Sequence, residues 1–344
     1  MRRTESSTSS ASSPWVSRGR RWAGESGEKP TPVYGRPREY VLVDYAAAPA
    51  WLATNRYILS GYRAYFSFRL CLVSIFRLHN ESANMWSHLA ATGLAAALLH
   101  ALVVRSWVFD PVARAVGADG PGADVVAGHS SAFAIYLAAG VVAFAASAIF
   151  HTFYCTSAPV SALLARLDYM GIALLMSAAF MPGIHFGFAC YPLLSSFYQL
   201  LITLVSAATL GLLLFPSIGL FHQGYYTRLG MYGMLAGLAV VPISHWVYLH
   251  GWAAEEVSLI LGRMLMVFFW LGVAAVIYVT QIPERWFPGT FDYFGHSHMI
   301  WHAIAAWIFW YHLNSALLYL DFRSQHACPK GHNPIEFVAN AADR

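Results

Sequence analysis

Apolar residues gather in seven long blocks along the chain, separated by shorter polar stretches. The blocks fall at about 83–104, 131–151, 166–187, 194–216, 229–250, 258–281 and 297–320. Each reaches the ~20 residues a helix needs to cross a bilayer. Pro182, Pro216 and Pro242 interrupt them, which membrane helices tolerate because their neighbours satisfy the freed backbone groups. Gly233 and Gly237 form a small-xxx-small pair, a weak mark of close packing by the fifth span. Ahead of the first block, Phe68, Leu72, Ile75 and Phe76 recur at helical spacing with Arg69 and Arg77 among them. This predicts a short amphipathic helix within 67–78, lying in the membrane interface or packed on the end of the bundle. The expected fold is all-α, a seven-transmembrane helix bundle with that short amphipathic helix before the first span. Residues 1–30, rich in Ser, Gly, Thr and Arg, read as a disordered basic tail. Residues 31–80 read as a flank on the same side, 81–322 as the seven-helix domain, and 323–344 as a short tail on the far side.

Composition sharpens this reading. The chain is 58% hydrophobic and only 11% charged, against roughly 25% charged in soluble domains. That excludes a large soluble core; membrane lipids are the expected surroundings, and no nucleic-acid partner is expected. No apolar run follows the N-terminal arginines, so a secretory signal peptide is not expected. Arginines near the spans set the orientation. Arg56, Arg63, Arg69 and Arg77 stand before the first span, with Arg36 and Arg38 further back. Arg166, Arg228 and Arg285 lie in the second, fourth and sixth loops, whereas the third and fifth loops hold none. Arg105 and Arg114 follow the first span, and Arg263, near the outer end of the sixth, counts mildly against the rule. The balance predicts a cytosolic N-terminus and a lumenal or extracellular C-terminus. The four cysteines, Cys71, Cys155, Cys190 and Cys328, are too few for a disulfide scaffold. The topology separates Cys155 from Cys190, so those two are not expected to pair.

Candidate chemistry collects at the cytosolic end. His298 and His302 are four apart at the start of the seventh span, a spacing that puts two imidazoles on one helical face and suits zinc. The second span runs inward and ends at His151, with Ser147 one turn before it. The third span begins near Arg166 and Asp168. Three histidines plus one water is the ligand count of a catalytic-type zinc site. Asp168 at membrane depth is costly unless satisfied; a metal-bound water or an imidazole N–H would serve. The alternatives are a pair with Arg166 or a cap on the third span. His296 is a rival ligand, and His245 in the fifth span has no evident partner.

These residues resemble the blocks of the progestin and adipoQ receptor family. The first block is Gly61-Tyr62-Arg63, followed by His79-Asn80-Glu81-Ser82-Ala83-Asn84-Met85-Trp86-Ser87-His88. The others are Ser147-x3-His151, Leu167-Asp168-Tyr169-Met170-Gly171-Ile172, Val241-Pro242-Ile243-Ser244-His245-Trp246, Ile282-Pro283-Glu284-Arg285-Trp286-Phe287-Pro288-Gly289 and His298-x3-His302. The resemblance covers about 55–325. It implies a cytosolic N-terminus and an intramembrane zinc on His151, His298 and His302, with Asp168 near the metal-bound water. Within the family, Gly61–Tyr65, Ser67–Cys71, Ser297–His302 and Cys328-Pro329 look like the Golgi branch. That likeness implies a Golgi membrane protein that holds Raf kinase through its N-terminal region and dampens Ras–Raf–MEK–ERK signalling. On that reading recruitment depends on residues 1–80 and not on the metal. Phe150–Ser157 leans toward the adiponectin-receptor branch. That branch implies a plasma-membrane receptor whose zinc hydrolyses an amide lipid such as ceramide. His298-x3-His302 lacks the Glu of HExxH hydrolases, so the base of such a reaction would have to be Asp168, and Ser147, on the His151 face, could hydrogen-bond in support.

Overall fold

A computed structural model describes residues 39–105, 129–214, 225–326 and 328. The basic tail over 1–30, together with Arg36, Arg38, Arg114 and Pro216, lies outside the described residues. Before the bundle, β1 (Leu42–Val43) pairs antiparallel with β2 (Tyr62–Arg63), Leu42 opposite Arg63. α1 (Phe68–Ser74) follows, its N-terminus capped by the Ser67 hydroxyl, which accepts from Leu70 N at 3.3 Å. It is shorter than the expected 67–78 helix, and its apolar stripe faces outward. Phe68, Leu72 and Phe76 are exposed, while Cys71 and Ser74 are buried. The flank has a small core of its own, Leu52, Ile58, Tyr62, Phe66 and Cys71, which packs on Tyr154 and Cys155.

Seven described segments are long and apolar enough to cross a membrane. They are α2 (Ser82–Val104), α3 (His129–Phe153, ending in a 3-10 turn over Tyr154–Thr156), α4 (Ala158–Gly187), α5 (Pro192–Leu214), the pair α6 (Tyr225–Leu238) and α7 (Val240–His250), α8 (Glu255–Thr280) and α9 (Ser297–Gln325). α4 starts well before the expected 166. Ser157 caps it, accepting from Val160 N, and Pro159 suits a first helical turn whose N–H needs no partner. The fifth span breaks at Ala239. Pro242 cannot donate to the carbonyl four residues back, and its ring clashes with that group. Pro182, by contrast, is absorbed within α4.

α3 packs between α2 and α4, and α9 closes the bundle against α2, α4 and α8. Two glycines allow the closest approaches. A Cβ on Gly171 would stand 2.9 Å from the Ala143 Cα, and one on Gly140 would stand 2.5 Å from the Phe309 ring. Small residues at such crossings let membrane helices gain backbone contact where no hydrophobic drive exists. Gly233 and Gly237 do not serve this way, because nothing lies within 4 Å of a Cβ at either.

A buried polar cluster ties four helices at the end of the bundle far from the histidine triad. Arg323 pairs with Glu256 and donates to the Phe186 carbonyl at 3.1 Å, while Trp246 Nε1 donates to the Tyr319 hydroxyl at 2.9 Å. A Cys190–Cys328 disulfide closes over the same end across 138 residues of sequence. The spacing of the cysteines predicts no such pair. Cys155 and Cys190 do stand apart, and Cys155 is a buried free thiol whose Sγ is 3.5 Å from that of Cys71.

Candidate metal centre

The antiparallel contact of α3 and α4 builds one wall of the site. With Gly171 seated on Ala143, one turn further along each helix brings Asp168 and Ser147 to the same level, and a further turn of α3 reaches His151. Asp168 is buried within interaction range of the Ser147 hydroxyl and the His151 ring. It lies well inside α4, so it caps nothing, and Arg166 is exposed and forms no ion pair with it among the described residues. Both simpler roles for Asp168 are thereby removed.

The other wall is the start of α9. Its N-terminal groups are held by Glu284, which accepts from Ser297 N at 2.7 Å and from the Ser297 hydroxyl. His296 also caps this end, its Nδ1 accepting from Met299 N at 3.3 Å; it belongs to the cap and not to the ligand group. One turn of helix then presents His298 and His302 toward His151. One ligand nitrogen from each of the three lies within 4.8 Å of the other two, and the Nε2 atoms of His298 and His151 are 3.3 Å apart. His151 and His302 are each 2% exposed.

The first span completes the site, and sequence reasoning missed it. The Glu81 carboxylate lies 2.7 Å from His151 Nδ1. A donor on Nδ1 leaves the Nε2 lone pair free to face the other two rings, the usual way an outer carboxylate orients a metal-binding imidazole. Asn84 Nδ2 and the Tyr154 hydroxyl donate to the same carboxylate at 2.6 and 3.2 Å. Ser87 Oγ is 3.5 Å from His302 Nδ1, and the His88 ring stacks on that of His302 with centroids 3.7 Å apart. Among the described residues neither His88 nitrogen has a hydrogen-bond partner. The available signal was Glu81, Asn84 and His88 at near-helical spacing, polar residues where the first span enters the bilayer. His245, which had no evident partner in sequence, meets the Tyr198 hydroxyl at 2.8 Å.

Just outside the spans, burial works against the charge on Glu81, but His151, His298 and the Asn84 amide together outweigh that cost and hold the carboxyl below the ordinary carboxylate range. Burial pushes His79 down to about 3, reinforced by the nearby Arg63 charge. His79 Nδ1 accepts from Glu81 N at 3.1 Å, which assigns its Nε2 as donor to the Ser74 carbonyl at 3.2 Å. Burial likewise lowers His296.

The donor set fits a zinc-type ion: three imidazoles, an outer carboxylate fixing one tautomer, and an acidic side chain beside the triad that no ligand role consumes. Fold and site together define a seven-helix membrane protein with a buried three-histidine centre at one end of the bundle. The sequence pattern of the haemolysin-III related family matches residues 76–313, and the chain belongs to this family, which includes the progestin and adipoQ receptors. It is similar to heptahelical transmembrane protein 1 of Arabidopsis thaliana, 32% identical over 83% of each chain. It is 30% identical to progestin and adipoQ receptor family member 3 of Mus musculus over 85% of this chain and 90% of the mouse protein. The adiponectin receptor protein of Drosophila melanogaster is 28% identical over 85% of this chain, which spans 63% of the fly protein's length.

Proposed function

We propose that the protein is a zinc-dependent signalling protein of the receptor type, with its histidine end in the cytosol and a centre that hydrolyses an amide-linked lipid such as ceramide. The observation that carries this reading is Asp168, buried beside the triad with Ser147 and His151 and, among the described residues, engaged in neither an ion pair nor a cap. His151, His298 and His302 would hold the ion. Zinc, when bound, supplies a Lewis acid that polarises water and a substrate carbonyl. Asp168 accepts the proton of the attacking water on a carboxylate oxygen, and Ser147 orients that carboxylate. Glu81 keeps His151 in the tautomer that offers Nε2. The orientation is supported by the free thiols Cys71 and Cys155 at the histidine end and the disulfide at the other, because disulfides persist in oxidising compartments.

A second reading is favoured by the folded N-terminal flank and by the similarity to family member 3. Here the flank is the docking surface for Raf kinase at the Golgi and restrains Ras–Raf–MEK–ERK signalling. The turn Tyr154–Thr156 between α3 and α4 is too small for an interface of ~800 Å² per partner, whereas the flank is not.

One experiment separates the two. Full-length protein, Asp168→Asn and His298→Ala/His302→Ala are purified, assayed for zinc and for ceramide cleavage, and tested for co-recovery of Raf. The hydrolase reading expects about one zinc per chain in the first two, none in the third, and cleavage by the first alone. Zinc retained by the double variant would refute the site. Cleavage absent from a zinc-loaded protein that recovers Raf would favour tethering.

A further inference from the structure

Two of the most deeply buried charged side chains of the flanking segments stand outside the metal centre, yet each holds the end of a ligand-bearing helix. Arg63, on β2, is fully buried. Its Nη1 donates to Ser74 Oγ at 2.6 Å and to the Thr152 carbonyl at 3.1 Å, and its Nη2 donates to the His151 carbonyl at 2.5 Å. Those carbonyls belong to the last turn of α3, where backbone acceptors lack helical partners and the helix dipole favours a cation. Glu284, also fully buried, sits at the opposite kind of terminus. Its bonds to Ser297 hold the first turn of α9, one residue before His298.

A single stretch, 55–63, joins these two contacts. Asn55 Nδ2 donates to Glu284 Oε1 at 3.0 Å. Gly289 N donates to the Tyr57 carbonyl at 3.0 Å. Leu59 N and Ser60 Oγ donate to the two oxygens of buried Asp292 at 2.8 and 2.6 Å. Gly61, at φ +85°, then turns the chain so closely that a Cβ would meet Asn80 N and the Tyr293 ring, both at 3.1 Å, and two residues on the chain delivers Arg63. The flank therefore grips the His151 end of α3 and the His298 end of α9 at once.

We propose that Arg63 and Glu284 are positioning residues of the metal centre, and that through stretch 55–63 zinc occupancy and docking of the N-terminal flank form one linked equilibrium. This rests on the zinc reading above. An ion held by His151, His298 and His302 fixes the same two helix ends that the flank spans. Whatever favours one arrangement favours the other, and the coupling is reciprocal: a partner that stabilises or lifts the flank changes zinc affinity by the factor that zinc changes flank docking.

The test uses full-length protein in lipid nanodiscs, loaded with zinc or stripped by a chelator. Tryptic cleavage at exposed Arg56 is timed while bound zinc is measured. Stripping zinc should speed cleavage at Arg56 by roughly 5-fold or more. His298→Ala/His302→Ala should be cleaved at the stripped rate whether or not zinc is added. Glu284→Gln should weaken zinc binding by roughly 5-fold or more, the size of a typical coupling between linked sites, and should raise cleavage at a fixed sub-saturating zinc level. Arg63→Lys, which keeps the charge but not the fork, should do the same if Glu284→Gln fails to fold. A purely structural role for the flank would lower stability without making its cleavage answer to zinc. Equal cleavage of stripped and zinc-loaded wild-type protein, with zinc bound stoichiometrically, overturns the linkage and leaves the metal site standing. No bound zinc in the wild type overturns both.

Discussion

Glu81 offers the sharpest single test of the metal centre, because it lies outside the ligand group yet decides the tautomer of one ligand. Its carboxylate meets three donors, His151 Nδ1 at 2.7 Å, Asn84 Nδ2 at 2.6 Å and the Tyr154 hydroxyl at 3.2 Å. In Glu81→Gln one acceptor oxygen becomes an NH2 group of nearly the same size. Oε2 receives both His151 and Asn84, so the amide oxygen can stay there while its NH2 turns to the Tyr154 hydroxyl, which can accept. What is lost is the negative charge that holds the proton on His151 Nδ1 and raises the basicity of Nε2, the atom that faces His298 at 3.3 Å. Loss of an outer-shell partner of this kind costs roughly 10–100-fold in metal affinity, or about 1.4–2.7 kcal/mol. Zinc affinity is measured by competition with a chelator of known affinity, and a thermal melt of the zinc-free protein monitors folding. We expect a zinc-free melt near that of the wild type and zinc affinity lowered by that factor. Unchanged affinity in a folded Glu81→Gln protein would refute the role of the Glu81 charge in tuning His151 as a ligand.

Two further outcomes follow from packing and burial. His79 sits near 3 in the folded protein against an ordinary value of 6.5, so the unfolded chain takes up its proton first. Stability is then full above pH ~6.5 and is lost as the pH falls toward 3, by on the order of 2 kcal/mol at pH 5; melts at pH 7.5 and 5 should converge in His79→Asn relative to wild type. Gly171→Ala places a Cβ against the Ala143 backbone at 2.9 Å and should cost ~1–3 kcal/mol of thermal stability; an unshifted melt would show that α3 and α4 have room to part.

The flank contact also changes how the tethering reading must be tested. On the sequence alone, recruitment through residues 1–80 is separate from the metal. Asn55, Leu59, Ser60 and Arg63 instead bond to the end of α3 and to the segment leading into α9, the two places from which the ligands project. A deletion through residue 55 removes Asn55 from Glu284, so loss of a partner in that variant must be read beside its zinc content.

Much of the architecture was legible in the chain alone. Long apolar blocks have few options in lipid, since every backbone group must be satisfied inside its own helix, and seven such blocks gave seven spans, of which the third begins at Ala158 and not at 166. The spacing of His298 and His302 is a local property of one helix, and His151 could be added from its place at the end of a span. What the pattern could not show was how helices meet. Gly171 and not Gly233 makes the close crossing, because glycine in a sequence does not say which neighbour its bare face meets. Cys190 and Cys328 pair across 138 residues, a separation no spacing rule reaches. The partner of His245, the outward turn of α1, and the role of the first span are likewise decided by neighbours distant in sequence. Sequence by itself determined which segments become helices and which chemistry each carries, because periodicity and burial of backbone polar groups are local constraints. Only the tertiary structure decided that Glu81 stands behind His151 and that Arg63 and Glu284 clasp the two ligand helices, because a buried charge is tolerated only where partners far along the chain converge on it.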